Sequence, residues 1–254
     1  MTVLAHALER TVFIRATRGT VFRFFTDSAR WASWWGAGST IDPRHGGAVL
    51  IKLPGGVEVT GEVLELIPPE RIVFTYGFAS GAPIPPGGSR VTIHLEPQDE
   101  GTRLMLTHEF ADGAVRDSFL QAWRYQLSLF SNLASREVTA EAAATIDQWF
   151  ATWSITDPAA RQSAIARIAV SGLLYRDRFS AIEGIADLVP HLAAFQQHMP
   201  GLQFERVGAV RECQGYALAD WKATSADGQP RGSGTAEFEF DCNGRINGVV
   251  NFWN

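Results

Sequence analysis

Residues 104–135, LMLTHEFADGAVRDSFLQAWRYQLSLFSNLAS, contain a change of hydrophobic period that decides the fold of the first half of the chain. Leu104, Leu106, His108 and Phe110 share one parity, and side chains two apart on a strand point to the same face. After Ala111-Asp112-Gly113 the period lengthens. Phe119, Trp123, Leu127 and Phe130 recur every three or four positions, which predicts a helix from about Ala114 to Ser135 with one apolar stripe. An apolar strand face followed by a long amphipathic helix requires that helix to lie across the sheet.

Upstream, turn chemistry at Gly46-Gly47, Gly55-Gly56, Pro68-Pro69, residues 81–88 and Asp99-Glu100-Gly101 separates extended segments, the spacing of an antiparallel meander. Ile72, Phe74, Tyr76 and Phe78 form a second inner face, whereas His94 has solvent-facing parity with Thr92 and Glu96. Before the meander come a strand from Arg10 to Ala16, a helix from Thr20 to Thr26 and a Trp-rich helical turn ending in Trp34-Trp35.

Downstream the order reverses, with helices first. Thr139 can cap a helix to about Ser154 bearing Ile146, Trp149, Phe150 and Trp153 on one face, and Asp157-Pro158 starts a second. A strand from Leu173 to Arg178 precedes a third helix, whose entry Ser180-Ala181-Ile182-Glu183 has a capping-box pattern and which runs to about His198. Four long strands follow, with hairpin turns at Asp227-Gly228 and Asn243-Gly244. The halves show no repeat of one another, so the chain reads as two different α+β domains, 1–137 and 138–254.

Composition supports two full cores, with 254 residues, 46% hydrophobic, 8 Trp and 16 Phe. A net charge of -5 and the lack of a basic run argue against nucleic acid, and no apolar stretch approaches the roughly 20 residues of a membrane span. With no leader pattern at the start, a cytoplasmic location and no membrane partner are expected. Cys213 and Cys242 sit in strand-like segments without ligand spacing and are expected to be buried thiols. No phosphate loop, nucleophile elbow, HExxH or Cys/His cluster occurs, so neither cofactor nor metal is expected.

Ile14-Arg15-Ala16, Trp34-Trp35, Gly61-Glu62-Val63, Pro68-Pro69-Glu70-Arg71-Ile72-Val73-Phe74-Thr75, Gly101-Thr102-Arg103-Leu104 and Leu106-Thr107-His108 occur in one order. Together they resemble the START-like family of homologues of the activator of the heat-shock-protein ATPase, over about residues 10–135. That resemblance implies a helix-grip domain. Where the family often shows Gly-Trp in its last helix, this chain has Ala122-Trp123. In the second half Trp149, Tyr175-Arg176-Asp177, Gly184, His198 through Phe204 and Asp241 through Ile246 resemble the SnoaL-like, or ketosteroid-isomerase-like, superfamily. This implies an α+β cone-shaped domain, a general base at Asp177 and a sheet that in such domains often forms a homodimer.

Neither superfold fixes a function. The ligand-lining candidates of the first half are Trp34, Trp35, Phe74, Tyr76, Phe78, His108, Phe110 and Trp123, with His108 read as a hydrogen-bonded core residue or a ligand-orienting one. Those of the second half are Trp149, Trp153 and Tyr175. Asp177, inside an apolar cone, could move a proton next to a carbonyl, but the resemblance places its oxyanion donors at Trp149 and Ala236, and alanine donates nothing. Three readings stay open: a binder of small apolar or aromatic molecules, an isomerase-type enzyme using Asp177, and a protein-interaction or co-chaperone-like module. Arg211, Asp220 and Glu237 read as the wet face of a sheet.

Overall fold

Residues 3–254 are described by a computed structural model, in which backbone contacts fall into two sets, one up to Glu137 and one from Val138 onward. In the first unit β1 (His6–Ile14) is followed by α1 (Arg18–Arg23) and α2 (Ser28–Trp35). The meander is β2 (Thr40–Ile41), β3 (Ala48–Leu53), β4 (Val57–Ile67), β5 (Arg71–Phe78), β6 (Ser89–Gln98) and β7 (Gly101–Phe110), and the unit closes with α3 (Gly113–Ser118) and α4 (Leu120–Val138). Its antiparallel seven-stranded sheet has the order β1-β7-β6-β5-β4-β3-β2.

The alternation read in β7 holds: Leu104, Leu106, His108 and Phe110 are buried, and His108 stands opposite Leu8 on β1 and Val91 on β6. The predicted single helix is two. Asp112 caps α3 by accepting from the N–H groups of Ala114 and Val115 at 2.7 and 3.0 Å, and the ladder breaks at Phe119, whose ring turns into the rings of Tyr76, Phe110 and His108. The α4 stripe then crosses the inner face as Trp123, Leu127 and Phe130, all buried, at roughly 1.5–3 kcal/mol per side chain. Phe130 packs on Phe24, Phe25 and Trp34.

The second unit runs α5 (Ala142–Thr152), α6 (Pro158–Ile168), β8 (Ala169–Arg176), β9 (Ala181–Glu183), α7 (Ile185–His198), β10 (Gln203–Cys213), β11 (Tyr216–Thr224), β12 (Pro230–Phe240) and β13 (Ile246–Trp253). Its six-stranded sheet has the order β10-β11-β12-β13-β8-β9, with β13 and β8 parallel. Asp157 and Pro158 start α6 as read, the Asp157 carboxylate accepting from Ala160 N–H at 2.7 Å. The capping-box reading at Ser180–Glu183 is corrected. Ala181, Ile182 and Glu183 pair with Arg176, Tyr175 and Leu174, so their backbone bonds go to a strand, and Gly184 starts α7 at φ 86°, a region favouring glycine. Thr139 is likewise no helix cap: Glu141 holds that position and the Thr139 hydroxyl donates to Glu212.

The core of this unit gathers Ile146, Trp149, Phe150 and Trp153 from α5, Ile165 from α6, Leu188 and Leu192 from α7, and the inner residues of the sheet. The two cysteines depart from expectation. Cys213 is exposed and Cys242 half-buried, because the first ends β10 at its hairpin and the second follows β12 into the Asn243-Gly244 turn. Arg211 and Asp220 form an outer-face ion pair at 3.1 Å, and Asp220 also accepts from the Thr235 hydroxyl.

Gly234 is where β12 can least tolerate a side chain. A Cβ there would sit 2.0 Å from Phe252 O and 2.6 Å from the Trp221 indole. Because the nearer obstacle is backbone, Gly234→Ala is expected to destabilise the second unit by about 1–3 kcal/mol, read as a lower urea midpoint at unchanged slope.

Candidate functional site

Each unit has a cavity with aromatic residues in its wall. In the first unit it measures about 220 Å³ and is lined by Trp35 from α2, Tyr76 and Phe78 from β5, Phe119, and Trp123 and Gln126 from α4. Of the residues proposed from sequence, Trp35, Tyr76, Phe78 and Trp123 meet there. Trp34, Phe74, His108 and Phe110 stand behind this wall: Trp34 and Phe74 both pack on Trp31, and Phe110 faces a smaller recess beside Ile84.

His108 owes its state to a continuous hydrogen-bond chain. Indole N–H groups only donate, so the Trp123 Nε1–H bond of 2.9 Å to His108 Nδ1 leaves the ring proton on Nε2. That Nε2–H donates to Ser89 Oγ at 2.8 Å, and the Ser89 hydroxyl donates to the Tyr76 carbonyl at 2.7 Å. Every polar atom of the imidazole is thus used, and a second ring proton would point at the indole donor. Burial pushes the His108 pKa down to about 3, so the ring stays neutral. No proton transfer partner remains for it. Burial likewise raises the Tyr76 phenol, and the buried Trp35 indole N–H has no acceptor among the described residues.

The second cavity is larger, about 690 Å³. Buried Trp153 and half-buried Phe195 and Trp253 supply apolar wall, and Asp177, Arg178, His191 and Arg231 supply polar edge. Trp149 and Tyr175 lie behind it. Trp149 packs against Tyr175 and Phe238, and the Tyr175 hydroxyl donates to Oδ2 of the cavity-lining Asp177 at 2.8 Å.

Asp177 lies in the turn between β8 and β9, where its backbone N–H donates to Ser180 O. Its Oδ1 accepts from Phe179 N–H at 2.8 Å, so each carboxylate oxygen is held by a protein donor. It forms no ion pair with Arg176 or Arg178 among the described residues. Tyr175 is raised well above the ordinary phenol range, first by burial and then by the Asp177 charge, with the neighbouring Asn251 side chain pulling the other way. Asn251 on β13 stands opposite Ala236 on β12. The indole N–H groups of Trp153 and Trp253 are buried without an acceptor among the described residues. Parity and period identified Trp153 as inward. The cavity roles of Arg178, His191, Phe195, Arg231 and Trp253 were missed, because each belongs to a different element and only chain folding gathers them. Among the described residues no three His, Cys, Asp or Glu side chains are grouped to hold a metal ion, and no helix is long and apolar enough to cross a membrane.

Residues 15–134 match the model of the family described as activator of Hsp90 ATPase homolog 1-like protein, in agreement with the resemblance drawn for the first half. Three solved structures are similar over parts of the chain. A putative isomerase of the SnoaL-like family from Agrobacterium tumefaciens is 23% identical, over 44% of this chain and 95% of its own, with a TM-score of 0.42. An Aha1 dimer from Colwellia psychrerythraea is 16% identical, over 50% and 93%, with a TM-score of 0.44. An AHSA1-like protein from Rhizobium etli is 27% identical, over 51% and 81%, with a TM-score of 0.42. No curated protein matches the chain.

Proposed function

We propose that this chain binds small apolar or aromatic molecules, chiefly in the second-unit cavity. The observation that carries the reading is a space of about 690 Å³ with Trp153, Phe195 and Trp253 in its wall and a few fixed polar groups at its edge. Ligand sites of roughly 300–1,000 Å³ have this make-up. The 220 Å³ space of the first unit suits only a molecule of about one or two rings. A ligand that binds only the folded state stabilises it by RT ln(1 + [L]/Kd). Titrating the chain with a panel of planar and polycyclic aromatics is therefore expected to raise the melting temperature, by several degrees at about 100 times Kd. A flat response to every member of the panel overturns the reading.

A second reading, proton transfer by Asp177, is favoured by one feature: a carboxylate at the cavity wall, anchored by Tyr175 and Phe179 and not paired to a cation. The donor available to a developing oxyanion is then the Trp153 indole rather than Trp149. On this reading Asp177→Asn keeps the fold and abolishes turnover of a ketone with an acidic α C–H. Turnover at the native rate in that variant removes the reading and leaves binding untouched.

A further inference from the structure

We infer that the second-unit cavity takes amphipathic organic anions, an aromatic body carrying a carboxylate or similar acidic group. The inference rests on reading that cavity as a binding site and names what it selects. Its carrier is the state of two arginines. Arg178 follows Asp177 in the chain, yet Asp177 is engaged by Tyr175 and Phe179, and the Arg178 guanidinium stacks instead over Phe179 at 4.6 Å and Trp253 at 5.7 Å. Stacking uses the face of the guanidinium and leaves its in-plane N–H donors available.

Arg231, from β12, donates Nε–H to Ser225 Oγ at 3.1 Å, and the Asp227 carboxyl is held below its ordinary value first by its bond from that hydroxyl and further by the Arg231 charge. Both side chains line the same cavity, and neither forms a direct ion pair among the described residues. By contrast, Arg30, Arg90, Arg206 and Arg245 each pair with an acid. An unpaired guanidinium with its fork exposed fits a carboxylate bidentately.

In the wall of the same space, Trp153 is 4% exposed and its indole N–H has no acceptor among the described residues, a costly state for a buried donor. A purely hydrocarbon occupant leaves that donor and both guanidiniums unused, and a cationic one is repelled by the arginines. An aromatic acid bearing a second acceptor oxygen satisfies all three. Asp177 accepts from Tyr175 and Phe179 and forms no ion pair with either arginine among the described residues.

The test is calorimetric titration of the full chain with 2-naphthoate and with 2-naphthamide, which share a ring system and differ in charge. The expected result is tighter binding of the acid, on the order of tenfold, with a preference that shrinks as ionic strength rises. In the double variant Arg178→Gln, Arg231→Gln the two ligands should bind within about twofold of each other. Both substitutions are at exposed positions, so the fold is retained. Equal affinity in the native chain, or a preference that survives the double variant, overturns the inference while the cavity reading stands. If neither ligand binds the native chain, both fall.

Discussion

In His108→Gln, the first unit loses the steepest part of its acid sensitivity. The native His108 pKa of about 3 lies below the roughly 6.5 of an unfolded histidine. Between those values the unfolded chain carries a proton that the folded one refuses, so stability declines as pH falls, by about 1.4 kcal/mol per pH unit. Above about pH 6.5 both states are neutral and the contribution vanishes. By about pH 3 it amounts to roughly 5 kcal/mol, a large share of the marginal stability of a domain.

Glutamine cannot take up the proton, so the His108 component of this slope disappears in the variant. Carboxylates held low by partners, such as Glu109 beside Arg90 and Glu137 beside Arg30, add a slope of the same sign, but only as pH drops towards the carboxylate range. The window from pH 5 to 6.5 therefore isolates the histidine. Hydrogen exchange of the β6 and β7 amides across that window reads the first unit alone. Parallel pH profiles for the two proteins would refute the neutral-histidine chain.

Trp31→Ala is expected to destabilise the first unit by about 3–5 kcal/mol, the usual range for deleting a buried tryptophan. Trp31 is 0% exposed, donates to Leu50 O at 3.1 Å, and packs against Phe25, Trp34, Trp35 and Phe74. The truncation removes that packing, opens a hole and strands a carbonyl. Trp35→Phe is expected to cost about 1 kcal/mol or less, since the lost N–H has no partner and the ring already borders empty space. Its effect should fall on ligands of the small cavity. Denaturation of the two variants followed by exchange at β5 separates core from wall, and similar losses in both would show that the cluster acts as one structural block.

These two tests mark where reading the chain succeeds and where it stops. Parity placed His108 inside, and period placed Trp123 on the face above it. Neither reveals that the two meet at 2.9 Å, nor that Ser89, nineteen residues upstream of His108, completes the chain of hydrogen bonds. The helix break at Phe119 was invisible to period, because that residue fits the stripe and leaves the ladder only to join Tyr76 and Phe110. The capping-box pattern at Ser180 was real as a local signal and lost to strand pairing with β8.

By itself the sequence determined the two-part α+β organisation, the inner faces of the strands and the order of elements, since these follow from side-chain period, glycine and proline placement and helix caps, all local. Tertiary structure alone decided which aromatics border empty space, that His108 is sealed and neutral, and that Asp177 is held by Tyr175 while Arg178 and Arg231 form no direct ion pair among the described residues. The physical reason is that hydrogen bonds, cavities and ion pairs depend on distances of a few ångströms between residues far apart in the chain. Local preferences limit those distances but do not set them.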